Sequence, residues 1–341
     1  MNDPTTFSIG NHPIGPGHPA LVIAEIGINH EGSLANCLDL ITAASESKAD
    51  AVKLQTSDPD ENYVPGTASY ELFRKAFLGP EETKAAFRHA RQLGIEIFTT
   101  TGVSTFSWIE ELSPVAYKIS SSTLGHYPLL RKVASTGRPL ILSTGMAEEH
   151  DITDAVAWAR ACGAAKLALL QCTSLYPCPP ELLDLAAISD LASRYNCPVG
   201  FSDHSLGIDA APISIAAGAC IIEKHFSLDP GQPSFDHHIS LSPRQFRSMV
   251  ERIRATETML GSPVKRLTPL AKEVANRMRR AIVARRRLEG GRVLQEADIA
   301  IMRHDGMISG IPPSEFDRLI GATLTRDVEQ WAPIPSDVVE F

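Results

Sequence analysis

The chain has 341 residues and a formal net charge of −8 at pH 7, room for one domain of about 250 residues and a smaller second one. The acidic balance excludes a nonspecific nucleic-acid binder working through a basic surface, so an anionic ligand has to meet a local cluster of positive charge. No apolar run reaches membrane-spanning length, and the opening "MNDPTTFSIGNHPIGPGHPA" lacks the basic and apolar regions of a signal peptide, so a soluble cytoplasmic protein is expected.

From residue 21, short β-rich apolar runs alternate with longer stretches of helical period, the signature of βα units and a parallel sheet. The runs are "LVIAEIGI" (21–28), "AVKLQT" (51–56), "IEIFTT" (95–100), "AYKISS" (116–121), "PLILST" (139–144), "KLALLQCT" (166–173), "PVGFSD" (198–203) and "CIIEKHF" (220–226). After the first, Leu34, Leu38, Ile41 and Ala44 share a helix face, with a serine as cap. After the last, Phe246, Met249, Ile253 and Met259 are expected inward, with Ser242-Pro243 as cap and first turn. Eight such units in about 240 residues, with no Gly-rich dinucleotide fingerprint after the first strand, predict a closed (β/α)₈ TIM barrel.

Polar residues cluster late in these runs, where a barrel builds its site: Glu25, Lys53, Gln55, Thr100, Lys118, Ser121, Ser143, Thr173, Ser202, His204 and His225. Lysines within apolar runs are costly unless offset, so Lys53 and Lys118 point to a negative ligand or to an internal Lys-Glu pair, with Glu25 as one partner. His204 of "GFSDHSLG" and His225 of "CIIEKHF" are open to three readings: core residues, acid/base groups or ligands of one metal. The six cysteines, Cys37, Cys162, Cys172, Cys178, Cys197 and Cys220, are dispersed and expected to be reduced. Cys172 and Cys178 enclose five residues, which does not match the usual zinc spacings.

Beyond residue 262 the pattern changes. Residues 263–280 read as a linker with a short amphipathic stretch, and 281–341 as a small, mostly β domain with a "GG" turn. The arginines at its start (Arg277, Arg279, Arg280, Arg285, Arg286, Arg287) read as a solvated face, with nucleic-acid binding as the alternative. No internal repeat is expected.

Together, "IAEIGINHEGSL", "ADAVKLQT", "YKISSSTLGHYPLL", "ILSTGMA", "QCTSLYPCP", "GFSDHSLG", "IIEKHFSLD" and "DHHISLSP" resemble the sialic acid synthases, the N-acetylneuraminate synthases and their legionaminic and pseudaminic acid relatives. The tail, "RRAIVARRRLEGGRVLQEADI" with "GIPPSEFDRLIGATL", is similar to the antifreeze-like (β-clip) domain many of them carry. The resemblance implies a barrel synthase that condenses phosphoenolpyruvate with an N-acetylated hexose and water, releasing phosphate. It implies His204 and His225 as ligands of a divalent metal, Mn²⁺ first, with Mg²⁺ or Co²⁺ as alternatives. Lys53, Gln55, Thr100, Lys118, Ser121, Ser143 and Ser202 would bind phosphoenolpyruvate. Glu25, Tyr176, Asp236 and, from the second protomer of a domain-swapped homodimer, Arg303 would face the sugar and the reacting centre. His237 is expected to support the site from behind, and His238 to lie at the surface. Arg303 pairing merely with Asp305 is the bland alternative.

Two departures bear on the sugar. Thr123 stands where most relatives have an acidic residue or its neighbour pattern, and Ser174 where several N-acetylneuraminate synthases have Asn. Each removes a hydrogen-bond partner that a site can use to reject analogues. N-acetylmannosamine is the default substrate and a diacetamido sugar leading to legionaminic acid the variant. A Schiff-base aldolase using Lys118 or Lys53 and a noncatalytic carbohydrate- or ice-binding protein are the competing readings.

Overall fold

A computed structural model describes residues 5–303 and 310–341. They form two compact units dividing between Gly261 and Ser262. Each of the eight predicted runs forms one strand. The chain opens with β1 (Phe7–Ile9) and β2 (His12–Ile14). The barrel strands are β3 (Leu21–Gly27), β4 (Ala51–Thr56), β5 (Glu96–Thr101), β6 (Tyr117–Ile119), β7 (Leu140–Ser143), β8 (Leu167–Cys172), β9 (Val199–Asp203) and β10 (Ile221–His225). They pair in parallel in chain order, and β10 closes on β3, giving the expected (β/α)₈ barrel.

Strand alternation sorts the interior into two levels. Towards the amino ends, Leu21, Ile23, Ala51, Phe98, Ile141, Leu170 and Ile221 pack together. Two residues further along their strands, Glu25, Lys53, Thr100, Ser143, Cys172 and Glu223 line a cavity. The β1–β2 hairpin, which sequence periodicity did not reveal because each strand is three residues long, adds Ile9 and Ile14 to the apolar level. It therefore helps exclude water beneath the site.

The helix Leu34–Glu46 starts at Ser33, whose side chain accepts from the Asn36 amide, but its buried face is Cys37, Leu40, Ile41 and Ala44, turned from the one expected. The helix Pro243–Leu260 has its cap at Ser242 and buries Phe246, Met249, Val250 and Ile253. Met259 is 77% exposed, against expectation. Six residues past Ile253 it lies about 240° around the helix, whereas Glu257, about 40° away, meets the barrel by accepting from the Ala20 amide at 2.7 Å. No helix of the described residues is long and apolar enough to cross a membrane.

The second unit contains the helix Pro269–Met278, within the stretch expected as a linker. Its β11 (Arg280–Ala284) pairs antiparallel with β12 (Ile299–Arg303), and β13 (Thr323–Leu324) with β14 (Val339–Glu340). An internal repeat is present after all, relating 281–300 to 321–340. Leu288 and Val328 exchange backbone hydrogen bonds at 2.8 Å, and Ala284 N–Ala332 O (3.1 Å) is mirrored by Leu324 N–Arg292 O (2.9 Å). Only Arg286/Arg326 and Glu289/Glu329 are identical across the two halves, which hides the repeat in sequence. The apolar pairs Leu288/Val328, Leu294/Ile334 and Ile299/Val339 preserve it physically.

The arginines expected as a solvated face are partly pinned. Arg286 and Arg292 both donate to the fully buried carboxylate of Asp298, and Arg287 pairs with Asp327 at 3.1 Å.

Candidate active site

The cavity at the carboxyl ends of the strands has a volume of about 400 Å³. Of the predicted site residues of the first unit, Glu25, Lys53, Gln55, Thr100, Lys118, Ser121, Ser143, Ser174, Tyr176, Ser202, His204, His225 and Asp236 line it, whereas Thr173 does not: its hydroxyl donates to the Leu182 carbonyl. Arg303 ends β12 in the second unit. Asp305, its alternative partner, lies outside the described residues.

At the cavity floor stands a buried set of four charges. Lys53 Nζ lies 2.5 Å from Glu25 Oε2 and 3.7 Å from Glu223 Oε2, and Lys118 Nζ lies 3.2 Å from Glu223 Oε1. The two readings of the lysines thus coincide: they are paired internally and they face a cavity. Glu223 is the residue that sequence reasoning missed. The signal was its parity, since residue 223 points to the same side of β10 as His225, while Lys224 points away and pairs with Asp203 at 2.9 Å.

Burial raises the Glu25 carboxyl, and the ammonium of Lys53 only partly opposes it, leaving the group at about 7. Burial also acts to raise Glu223, but Lys118 and Lys53 outweigh it, and a hydrogen bond from Ser202 at 2.9 Å adds to the pull down to about 2. Burial lowers Lys118 below its usual range despite Glu223. Glu25 also accepts from Gln55 Nε2 at 3.3 Å. Gly27, at φ +54° beside a bulge in β3, makes room for this carboxylate: a Cβ there would stand 2.9 Å from Glu25 Oε1.

Around the charges lie hydroxyls and thiol. Ser121 Oγ accepts from the Gly145 amide at 3.0 Å, and Gly145 is again sterically required, since a Cβ would stand 2.6 Å from Ser174 Oγ and 2.7 Å from Cys172 Sγ. Ser143 Oγ is buried with no hydrogen-bond partner. Such a group stays costly until a ligand satisfies it. All six cysteines are unbridged.

The two histidines end adjacent strands, with ring centroids 5.6 Å apart. The His204 Nδ1–H donates to the Thr173 carbonyl at 2.9 Å, which orients the ring with Nε2 3.5 Å from Ser202 Oγ. Burial acts to lower the His204 pKa, and the neighbouring Cys172 and the Thr173 carbonyl outweigh that and raise it. His225 Nδ1 is buried without a hydrogen-bond partner and 3.7 Å from Asp236 Oδ2. Burial and the neighbouring His204 hold His225 well below the usual imidazole range, in its neutral form. Tyr176 stacks on His204 at 4.2 Å. Burial raises Asp236, opposed by His238 and His237. His237 is buried, with Nδ1 2.6 Å from Ser227 Oγ and Nε2 3.0 Å from Glu31 Oε1, and His238 is exposed.

One wall was not legible in advance. Between β4 and the helix Pro80–Leu93, the short helices Pro59–Asn62 and Ala68–Ala76 bring Asn62 and the stacked pair Tyr63–Phe73 (4.6 Å) to the cavity. Thr123 and Met146 also line it.

The NeuB family model matches residues 40–265 and the SAF domain model residues 279–339. An uncharacterized protein of Methanocaldococcus jannaschii is 40% identical, over 95% of this chain and 96% of its own. An N,N'-diacetyllegionaminic acid synthase of Legionella pneumophila is 34% identical, over 94% of each chain. The crystal structure of an N-acetylneuraminic acid synthetase from Leptospira borgpetersenii, in complex with citrate, superposes with a TM-score of 0.76 at 31% identity, over 79% of this chain and 95% of that one.

Proposed function

For a chain that belongs to the NeuB family, the sialic, legionaminic and pseudaminic acid synthases, and carries a SAF domain, we propose the following reaction. Phosphoenolpyruvate, an N-acetylated hexose in its open aldehyde form and water give a nine-carbon 2-keto sugar acid and phosphate. The C–O bond between carbon 2 of phosphoenolpyruvate and its bridging oxygen breaks, and the water oxygen becomes the new keto oxygen.

The observation that carries this reading is the pairing of buried cations with an unsatisfied hydroxyl. Lys53 and Lys118 face the same cavity as the partnerless Ser143 Oγ and the hydroxyls of Thr100, Ser121 and Ser202. That set supports binding of a phosphate and a carboxylate, each taking charge-assisted bonds from ammonium groups and further bonds from hydroxyls. Glu25, with a carboxyl near 7, is suited to take a proton from the attacking water at neutral pH. The same carboxylate is suited to stabilise positive charge developing at carbon 2.

His204 and His225 fit a divalent cation, Mn²⁺ first, with Mg²⁺ or Co²⁺ as alternatives. Support comes from the oriented His204 ring and the orphaned, neutral His225 ring. When bound, such an ion supplies Lewis-acid polarisation of an aldehyde oxygen. Asp236 and Tyr176 would then border the sugar, with Arg303 acting from the second protomer of a domain-swapped homodimer. The protein would act in the cytoplasm.

N-acetylmannosamine is the default sugar. The legionaminic acid alternative, with a diacetamido sugar, is favoured by the named Legionella relative and by Ser174 and Thr123 at the cavity wall. Phosphate release from phosphoenolpyruvate, assayed with both sugars and Mn²⁺, tests the proposal. Release that requires sugar and metal together is expected, with the bridging ¹⁸O of labelled phosphoenolpyruvate recovered in phosphate. No release with any N-acetylated hexose would overturn it. Borohydride trapping of a pyruvate adduct on Lys53 or Lys118 would instead favour the aldolase reading.

A further inference from the structure

The loop that carries Asp236 leaves β10 and has no regular structure until a short helical turn at His237–Ile239. A carboxylate on such a segment needs something to hold it over the cavity. One side chain from the opposite edge of the barrel seam supplies much of that. Asn29, 3% exposed, follows β3, the strand of Glu25. Its Nδ2 donates to the Phe226 carbonyl at 3.0 Å and to Ser240 Oγ at 3.0 Å, and its Oδ1 accepts from the backbone amide of Asp236 at 3.1 Å. Ser240 Oγ in turn donates to the Asp236 carbonyl at 2.7 Å. The Asn29 amide thus makes three hydrogen bonds, all to the loop that bears Asp236, and the Asp236 peptide is gripped at both its N–H and its C=O.

A second arm runs parallel. Glu31, two residues beyond Asn29, accepts from His237 Nε2 at 3.0 Å, and His237 Nδ1 takes a hydrogen bond from Ser227 Oγ at 2.6 Å. Serine, histidine and glutamate here follow the bonding order of a nucleophilic triad. Ser227 is fully buried, however, and its oxygen also accepts from the Asp229 amide at 3.0 Å, so it has no access to a substrate. The arrangement is a strut.

We propose that Asn29 is a positioning residue for Asp236. It locks the loop after the last barrel strand to the loop after the first, and so sets the distance between the Asp236 and Glu25 carboxylates. This rests on the reading that Asp236 serves the reaction. An Asn is suited to the task because it donates and accepts at once; Asp at position 29 would keep the acceptor and lose both donated bonds.

The test uses the full-length protein and two readouts. In steady-state phosphate release, Asn29→Ala should lower kcat about 100-fold, the scale on which small misplacements act. KM for phosphoenolpyruvate should stay within about threefold, because the groups proposed to bind it lie elsewhere in the cavity. In an Asp236→Ala background the same substitution should change kcat less than about twofold, since a residue acting through Asp236 has nothing left to position. Ser240→Ala, a milder lesion, should show the same pattern with about a tenfold effect, which covers the case in which Asn29→Ala fails to fold. Multiplying effects in the double variants, or wild-type kcat in the folded single variants, would overturn the proposal. Amide hydrogen exchange at Asp236 should accelerate at least about tenfold in either single variant, whatever the activity, and unchanged exchange also overturns it. A wild-type protein that turns over no sugar sinks the assigned reaction, and the exchange measurement still decides the clamp.

Discussion

Two buried carboxylate clusters in this molecule meet charge in opposite ways. In the second unit Asp298 is fully buried and accepts five hydrogen bonds: from Arg286 Nε (3.1 Å) and Nη2 (2.5 Å), Arg292 Nε (2.8 Å) and Nη2 (2.9 Å), and the Gln295 amide (3.0 Å). Nothing is left over, and the group ties a turn together. In the barrel, Glu25 and Glu223 share Lys53 at the floor of a cavity, Glu223 also pairs with Lys118, and Ser143 Oγ and His225 Nδ1 beside them have no partner. Burial of charge is common to both; incomplete satisfaction beside open space is not. The second property marks a site awaiting a ligand, because a buried polar group without a partner costs free energy that a bound substrate can recover.

The largest effect expected from breaking this contrast is on the barrel cluster. Glu223→Ala strands the Lys118 ammonium, which is 3% exposed, and leaves Lys53 with Glu25 alone; it should cost about 3–5 kcal/mol in urea unfolding at pH 7. Asp298→Ala should cost about 2 kcal/mol, less because the Arg286 and Arg292 side chains are 57% and 35% exposed and return to water. Equal losses at the two sites would show that exposure of the partners does not govern the penalty. Ser143→Ala sharpens the point from the other side. Its hydroxyl is buried and has no bond to lose in the free protein, so stability should hold or rise by about 1 kcal/mol, while KM for phosphoenolpyruvate rises about tenfold.

The smallest effect is in pH, where Glu25 and Asp298 carry opposite signs. Glu25 ionises near 7 instead of 4.5, so the stability it contributes is full below about 4.5 and declines as pH rises to about 7. Asp298 is held below its usual 3.8: burial acts to raise it, and the hydrogen bonds from Arg292, Gln295 and Arg286 outweigh that. Its contribution is present above the unfolded value and is lost as pH falls through the lower folded one. Calorimetry from pH 3 to 7 should therefore show a slope between 5 and 7 that Glu25→Gln removes, and a loss below about 4 that Asp298→Asn reduces, the remainder belonging to Glu223, which is held at about 2. Wild-type slopes persisting in those variants would reject the assignment.

Much of the first unit was legible in the residues. Eight apolar runs with helical stretches between them specify a barrel because each strand must bury both faces and each helix one. The polar residues late in those runs then mark its mouth. Glu223 escaped because "IIEKHF" puts two charged residues side by side, and only the side of the strand each faces separates a cavity group from the structural Lys224–Asp203 pair. The β1–β2 hairpin escaped because three residues per strand carry no period. The two halves of the second unit share two identities, so their symmetry is visible only in the hydrogen bonds that relate Leu288 to Val328.

By itself, then, the order of residues determined which segments become strands, how many there are and which side chains reach the mouth of the barrel, since these follow from periodicities of two and 3.6 that every short window displays. The tertiary structure decided what those side chains meet. Glu25 and Glu223 lie 198 positions apart in the chain, and only closure of β10 on β3 brings them to the same lysine. The same closure sets Asn29 against Asp236. Distances between residues so remote in sequence are fixed by packing of the whole barrel, which no local window contains.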